Sequence, residues 1–385
     1  MEYKLSDIAF YSKQKISVED ISVKNYVSTE NMLPNKNGKI AATTLPKVKQ
    51  TLKYEPNDVL ISNIRPYFKK IWLANEEGGC SNDVLVLTAK NGIDPRYLYY
   101  VLANDKFFDY SMATSKGTKM PRGDKKSIMD YLVPSYSIDI QLKIASVLWN
   151  IDEKIRINEK INKNLEQQAQ ALYTAWFEDF EPFGGVVPDT WQQITLGDIA
   201  EIKTNSFNPQ KNPDVLIEHY SIPAFDEKKY PVFEIASGVK SNKYILSNKS
   251  VMISKLNPDT KRVWRPLCLS DLAVSSTEFI VFEAFNPKYK DFVYSVIDSQ
   301  NFTDWMCSHT TGSTNSRQRT TPATTLNYSL WIPDNEIMEQ FLNAVTPIYD
   351  LIAQNLSQNQ RLISLRDSLL PKLMSGDIDV SDIDI

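Results

Sequence analysis

The 385-residue chain is poor in the side chains that carry most catalytic and metal chemistry, with three cysteines and two histidines. Cys80, Cys268 and Cys307 are too few and too scattered for a disulfide framework or a zinc site, which suits a reducing, cytoplasmic setting. His219 and His309 have no ligand or triad partner at a meaningful spacing. A G-x-x-x-x-G-K-[ST] phosphate loop is missing, so the chain is not expected to hydrolyse ATP. An adenine methyltransferase would need an Asn/Asp-Pro-Pro-aromatic loop and a glycine-rich cofactor turn. The nearest string, Asn257-Pro258-Asp259, lacks the second proline and the aromatic. No apolar run approaches the roughly 18–20 residues that span a bilayer. The opening MEYKLSDIAFYSKQ carries charges within its apolar stretch and does not read as a signal peptide. A strong basic excess is also lacking, since the net charge is −4, which argues against a uniformly basic nucleic-acid binder.

What is present is enough for a real core. The chain is 42% hydrophobic and 23% charged, which excludes a disordered or collagen-like protein, and its length favours two or three domains. The mean charge conceals a division: residues 1–137 carry +5, 138–187 carry −3, 188–335 carry −1 and 336–385 carry −5. Two blocks are acidic and helical in pattern, and the other two hold most of the basic residues. A weak overall charge suits a chain that shares DNA contact with partners better than one that grips DNA alone.

The sequence repeats itself once. Leu5-Ser6-Asp7-Ile8-Ala9 returns as Leu196-Gly197-Asp198-Ile199-Ala200, and Asp58-Val59-Leu60-Ile61-Ser62 returns as Ser250-Val251-Met252-Ile253-Ser254. A polar loop beginning at Gly117 matches one at Gly312, Val133-Pro134 matches Ile332-Pro333, and Gln141 matches Gln340. The offsets of 191, 192, 195, 199 and 199 keep their order and drift slowly, as loop insertions would make them. Each half has a mixed globular part with β-rich runs such as Val84–Leu87 and Phe279–Phe282, followed by one long helix. A single helix is expected within each globular part, over Pro95–Tyr110 and Lys290–Met306, each followed by a polar loop.

In the first long helix Leu148, Ile151, Ile155, Asn158, Asn162, Leu165, Ala169, Leu172 and Trp176 fall on alternating three- and four-residue steps. Val345, Ile348, Ile352, Asn355, Asn359, Leu362, Arg366, Leu369 and Leu373 repeat this in the second at a constant offset of 197. Both read as coiled-coil seams, polar at the same two positions. Pro347 is expected to restart or kink the second helix. An antiparallel pair would bring Asn158 and Asn162 against Asn355 and Asn359, fixing register at a cost in stability. The globular parts would then lie at opposite ends of a rod of about 60 Å, against a DNA repeat of about 34–36 Å per turn. The expected fold is α+β: two similar domains, residues 1–137 and 188–335, joined by helical spacers, residues 138–187 and 336–385, in an antiparallel coiled coil with a pseudo-two-fold repeat.

At this point the chain resembles the specificity subunits of type I restriction–modification systems, built as recognition domain, helix, recognition domain, helix. The most specific segments are IRINEKINKNLEQQAQALYTAWFEDFEPFGG (155–185) and NQRLISLRDSLLPKLMSGDIDV (359–380), together with the two Leu-x-Asp-Ile-Ala openings. The resemblance covers essentially the whole chain, strongly in the helices and weakly in the globular parts, where recognition domains differ with the sequence they read. It implies a non-catalytic, cytoplasmic subunit with no membrane contact. Such a subunit reads an asymmetric bipartite site in double-stranded DNA, binds two modification (methyltransferase) subunits through its helices, and is joined by restriction subunits. S-adenosylmethionine, ATP and magnesium would then belong to those partners.

DNA contact needs Lys or Arg for phosphates and forked or amide donors for base edges. In the first half the candidates are Arg65, Lys69 and Lys70, interleaved with aromatics, and Lys116, Thr118, Lys119, Arg122, Lys125 and Lys126 in the polar loop. In the second they are Lys255, Lys261 and Arg262, with Arg265 beside them, and Ser313, Thr314, Asn315, Arg317 and Arg319 in the matching loop. Trp176, Phe177 and Phe180, with Phe183, and Leu369, Leu370 and Leu373, with Met374, either bind partners or pack against the chain's own domains. Two other classes compete. One is a coiled-coil scaffold or toxin-neutralising adaptor without sequence reading. The other is a magnesium nuclease built on Pro213-Asp214 and Glu227-Lys228-Lys229, although the intervening VLIEHYSIPAFD shows no clean strand and the first half has no counterpart.

Overall fold

The apolar run shared by the two halves becomes, in each, the central strand of a four-stranded antiparallel sheet. The structure is a computed structural model describing residues 2–311 and 318–383. It divides into two compact units, Met1–Ile155 with Arg361–Ile385, and Arg156–Gln360.

In the first unit β1 (Ala9–Tyr11), β2 (Val59–Ser62), β3 (Ile71–Leu73) and β4 (Val84–Ala89) form a sheet in the order β1-β4-β2-β3, with Val59 opposite Leu87 and Leu73. Successive side chains on a strand point to opposite faces, and here both faces are covered. Val59, Ile61, Leu85 and Leu87 join one core with Leu98, Phe108 and Leu148; Leu60, Val84 and Val86 join another with Val27, Tyr54 and Cys80. A strand buried on both sides reads as an unbroken apolar run rather than an alternating one, which is why Val59-Leu60-Ile61 has no polar member. The second core rests on a second sheet ordered Lys15–Ser17, Gln50–Tyr54, Gly78–Cys80, Tyr26–Val27. Helices α1 (Pro95–Ala103) and α2 (Asp105–Ala113) follow β4.

The long helix α3 (Ile138–Phe177) comes next. The second unit then repeats the plan with β5 (Ala200–Lys203), β6 (Ser250–Ser254), β7 (Val263–Trp264) and β8 (Phe279–Ala284) in the order β5-β8-β6-β7. Val251, Ile253, Ile280 and Phe282 face one core, and Met252, Phe279 and Val281 the other. Its second sheet has five strands, ordered Ser206–Phe207, Lys243–Ile245, Ala273–Ser276, Leu216–Tyr220, Val232–Ile235. Helices α4 (Lys290–Ile297) and α5 (Gln300–Ser308) follow, and then the long helix α6 (Asn335–Ser375), of which the part up to Gln360 belongs to this unit.

Three expectations need correction. The single helices over Pro95–Tyr110 and Lys290–Met306 are each two. Asn104 is extended (φ −66°, ψ 138°) and its side chain accepts from the Lys106 N–H. Ser299 is likewise extended and caps the Phe302 N–H. Both are N-cap residues inside an apolar-periodic stretch, and their own hydrogen bond to the next helix replaces the helical one. Next, α6 does not restart at Pro347 but runs through it and through Pro371. The lost hydrogen bond costs about 3 kcal/mol, and the flanking Val345 and Tyr349 are buried in the core. Finally, Leu216–Tyr220 is a strand after all, antiparallel to Val232–Ile235 and parallel to Ala273–Ser276. Its charged interruption is satisfied: the buried Glu218 carboxylate accepts from the Tyr220 hydroxyl and from the Ser270 N–H and hydroxyl.

Both long helices contribute to both units, running antiparallel in each. In the first unit Ile144, Ala145 and Leu148 of α3 share a core with Leu370, Leu373 and Met374 of α6. There Asp152 accepts from the Tyr100 hydroxyl at 2.7 Å and from Arg366 at 2.8 Å. In the second unit Ala169, Tyr173 and Phe177 of α3 meet Met338, Phe341, Val345 and Tyr349 of α6. The four asparagines meet as two pairs, Asn158 Nδ2 donating to Asn359 Oδ1 and Asn355 Nδ2 to Asn162 Oδ1, both at 2.8 Å. Buried amides that hydrogen-bond across the seam hold a register that purely apolar seams would let slide.

Candidate nucleic-acid interface

The two basic segments of the first half, far apart in sequence, are brought side by side. Where β2 ends, the chain turns through Arg65 in the left-handed region (φ 51°), a short 3-10 turn over Pro66–Phe68, and Lys69, also left-handed (φ 51°). The loop 114–126 lies along it. Arg65 donates its N–H to Pro121 O at 2.8 Å, Gly123 donates to Asn63 O, and Ile64 bridges Arg122. Lys116 and Arg122 exchange both backbone hydrogen bonds and so close the loop, leaving Thr118 and Lys119 at an exposed tip. Gly123 is required by close approach, because a Cβ there would lie 2.9 Å from Asn63 Oδ1, Ile128 Cδ1 and Ser111 Oγ.

The second half builds the same junction. After β6 the chain passes Lys255 and Leu256 to Asn257, left-handed at φ 48°, then a 3-10 turn over Pro258–Thr260. Asn257 donates its N–H to Gln318 O at 2.9 Å, Thr320 donates to Lys255 O, and Leu256 bridges Arg319. Thr310–Thr311 pairs with Arg319–Thr320 at the loop base. Ser313, Thr314, Asn315 and Arg317, like Gly312, lie outside the described residues.

The cations divide into held and free. Lys69 pairs with Asp105 at 3.0 Å, Lys116 with Asp124 at 2.5 Å and Arg122 with Asp83 at 3.3 Å. Lys70 donates to Thr29 O at 2.6 Å, and burial lowers its pKa. Asp105 is held below the usual carboxylate range, burial being outweighed by hydrogen bonds from Lys36 and Lys69. Asp124 lies well below that range, first through its hydrogen bond from Lys116. In the second half Arg262 forks onto Asp226 at 2.6 and 2.9 Å, and Arg319 onto Glu278 at 3.0 and 3.2 Å. Lys261 pairs with Asp298 at 3.2 Å, and Arg265 with both Asp291 and Asp350. Among the described residues Arg65, Lys119, Lys125, Lys126 and Lys255 make no side-chain ion pair. Free cations at a loop surface release counterions when they meet phosphate, whereas a paired one must first give up its carboxylate.

The partner-binding candidates are placed largely inside the chain. Phe177 is 5% exposed, with ring centroids 4.8 Å from Phe341, 5.1 Å from Phe292 and 5.4 Å from Trp191. Trp176 and Phe180 are half-buried against Phe341 and Trp191. Leu370 and Leu373 are core residues of the first unit, and Leu369 is half-buried beside them. Asp214 is exposed, Glu227 sits on the helix Ile222–Lys228, and no group of three potential metal ligands occurs among the described residues. No described helix is long and apolar enough to cross a membrane.

Sequence reasoning missed Asn257 as the counterpart of Arg65. The signal was available: Ile64-Arg65-Pro66 and Leu256-Asn257-Pro258 share the offset of 192 that relates the preceding strands.

The sheet is thus built twice, and each time an inner strand ends in the same left-handed turn, held by a backbone hydrogen bond to a later segment. Residues 1–167 match the family described as type I restriction modification DNA specificity domain. The MjaIX specificity subunit of Methanocaldococcus jannaschii is 26% identical over 326 residues, covering 76% of this chain and 71% of that one. The HindI specificity subunit of Haemophilus influenzae is 22% identical over 461 residues, covering 98% and 99%. The fold matches a crystal structure of a type I restriction–modification S subunit from M. genitalium, with a TM-score of 0.60, 15% identity and coverage of 97% and 96%. The first 167 residues thus match a type I DNA specificity domain, and the chain is similar over most of its length to type I specificity subunits.

Proposed function

We propose that each half of this chain reads one half of a bipartite DNA site through its turn-and-loop junction. The paired helices set the distance between half-sites and present docking surface to two modification subunits, and restriction subunits join that complex. The chain itself performs no catalysis; S-adenosylmethionine, ATP and magnesium act on the partner subunits, and the assembly works in the cytoplasm. The observation that carries this reading is the junction built twice: Arg65 against Pro121 and Asn257 against Gln318, on equivalent strands, with different side chains and loops on the same backbone. A reader of two unlike half-sites needs one scaffold and two chemistries.

The test is duplex binding by the chain assembled with its modification subunit, across a salt series. Preference for one duplex over scrambled ones, superimposed on a salt-dependent background, is the expected result. Salt-dependent binding with equal affinity for every duplex would instead fit an adaptor that does not read sequence.

A further inference from the structure

Arg65 differs from the four cations packed nearest it at the first junction. Lys69, Lys116 and Arg122 are neutralised by Asp105, Asp124 and Asp83, and Lys70 is tied to the Thr29 carbonyl. Arg65 has no side-chain partner among the described residues, and its Nε is sealed from solvent without a hydrogen bond. Nε is the only one of its guanidinium nitrogens in that condition, so the terminal amino groups reach solvent. The backbone beneath is doubly disfavoured: a non-glycine residue at φ 51° that also precedes a proline. It is pinned there by the hydrogen bond to Pro121 O. A strained backbone that holds a guanidinium with a buried stem and an open fork presents a positioned donor pair, not a mobile charge. Lys119, Lys125 and Lys126, exposed around it on flexible stems, have the character expected of phosphate contacts.

The second half retains the conformation and changes the side chain. Asn257 has φ 48°, precedes Pro258 and is clasped by the opposite loop in the same way. A structural role would favour one side chain at both places, whereas a reading role requires the backbone to stay and the side chain to vary. We infer that Arg65 is the base-reading residue of the first recognition domain, its fork specifying a guanine through O6 and N7 in the major groove. This rests on the reading that each half contacts one half-site.

The experiment uses the chain assembled with its modification subunit and a randomised bipartite duplex library, with the bound fraction sequenced. The wild-type complex is expected to enrich guanine at one position of the first half-site. Arg65→Lys keeps the charge and loses the fork, so the guanine preference should fall by roughly 5- to 150-fold. The second half-site and the salt slope should stay as they were. Arg65→Asn installs the side chain that the second half already carries in this conformation, and it should shift the preference at that position towards adenine. A melting curve matching wild type establishes that each variant is folded. Retained guanine preference in Arg65→Lys would overturn the inference. So would, in Arg65→Asn, a uniform loss across all sequences with a salt slope lower by about one, the mark of a phosphate contact. A wild-type complex that enriches no base at any position would defeat the DNA-reading proposal itself, which separates that failure from a failure of Arg65 alone.

Discussion

Replacing Phe177 by alanine separates packing from partner binding at the end of α3. The ring is 5% exposed and touches Tyr173, Trp191, Phe292 and Phe341, with the nearest centroid at 4.8 Å. Truncating a fully packed phenylalanine costs about 3–5 kcal/mol, and the surrounding edge-on pairs place this site towards the upper end. For a unit the size of Arg156–Gln360 each kcal/mol lowers the melting temperature by about 2–4 °C. Phe177→Ala should therefore lower the melting of that unit by roughly 6–20 °C, read by differential scanning calorimetry of the purified chain. Trp176→Ala, half-buried, should lower it by less. A shift below about 2 °C accompanied by loss of modification-subunit binding would refute the reasoning and make the cluster a docking surface.

Other perturbations probe the register, the pH response and the charges. Asn158→Leu alone removes the donor to Asn359 Oδ1 and should cost about 1–3 kcal/mol, whereas adding Asn359→Leu should recover part of it; a double-mutant cycle by urea denaturation reads the coupling. Burial lowers the pKa of His219, whose Nδ1 lies 2.7 Å from Glu234 Oε1. The unfolded chain therefore takes up a proton near the ordinary histidine value of about 6.5 before the folded one does, and stability should fall as pH drops below about 6.5. Melting temperatures from about pH 7.5 to about pH 5 should decline less steeply in His219→Gln; an unchanged decline would assign the effect to another group. Replacing Lys119, Lys125 and Lys126 by alanine should lower the salt slope of DNA binding by up to about one for each phosphate left without its cation, with half-site preference intact. Lys69→Ala, which removes a cation already paired with Asp105, should change the slope less.

The parts of the fold that were legible in sequence are those whose signal is local or periodic. The runs at Val59 and Val251 announced the central strands, and the 197-residue offset of Asn158/Asn162 and Asn355/Asn359 announced both seams and their pairing. Helix breaks were hidden because Asn104 and Ser299 interrupt apolar periodicity by a capping bond, which a pattern of spacings does not register. The helix does not restart at Pro347, where the flanking Val345 and Tyr349 are buried in the core. At the junctions the order of the repeat brought the right segments into view. Which cations are neutralised was illegible, because the partners of Lys69, Arg122 and Arg262 lie 36, 39 and 36 residues away in sequence. The aromatic end of α3 could be read as core or surface from sequence alone; its rings lie against Trp191, Phe292 and Phe341.

The claim that each half reads one half-site is tested most directly by exchanging residues 1–137 for the corresponding domain of a specificity subunit with a different target, then mapping methylated motifs across host DNA by single-molecule sequencing. The account predicts a hybrid motif in which one half-site is replaced while the other half-site and the spacer length persist. A motif altered in both halves, or one unchanged by the exchange, would contradict it.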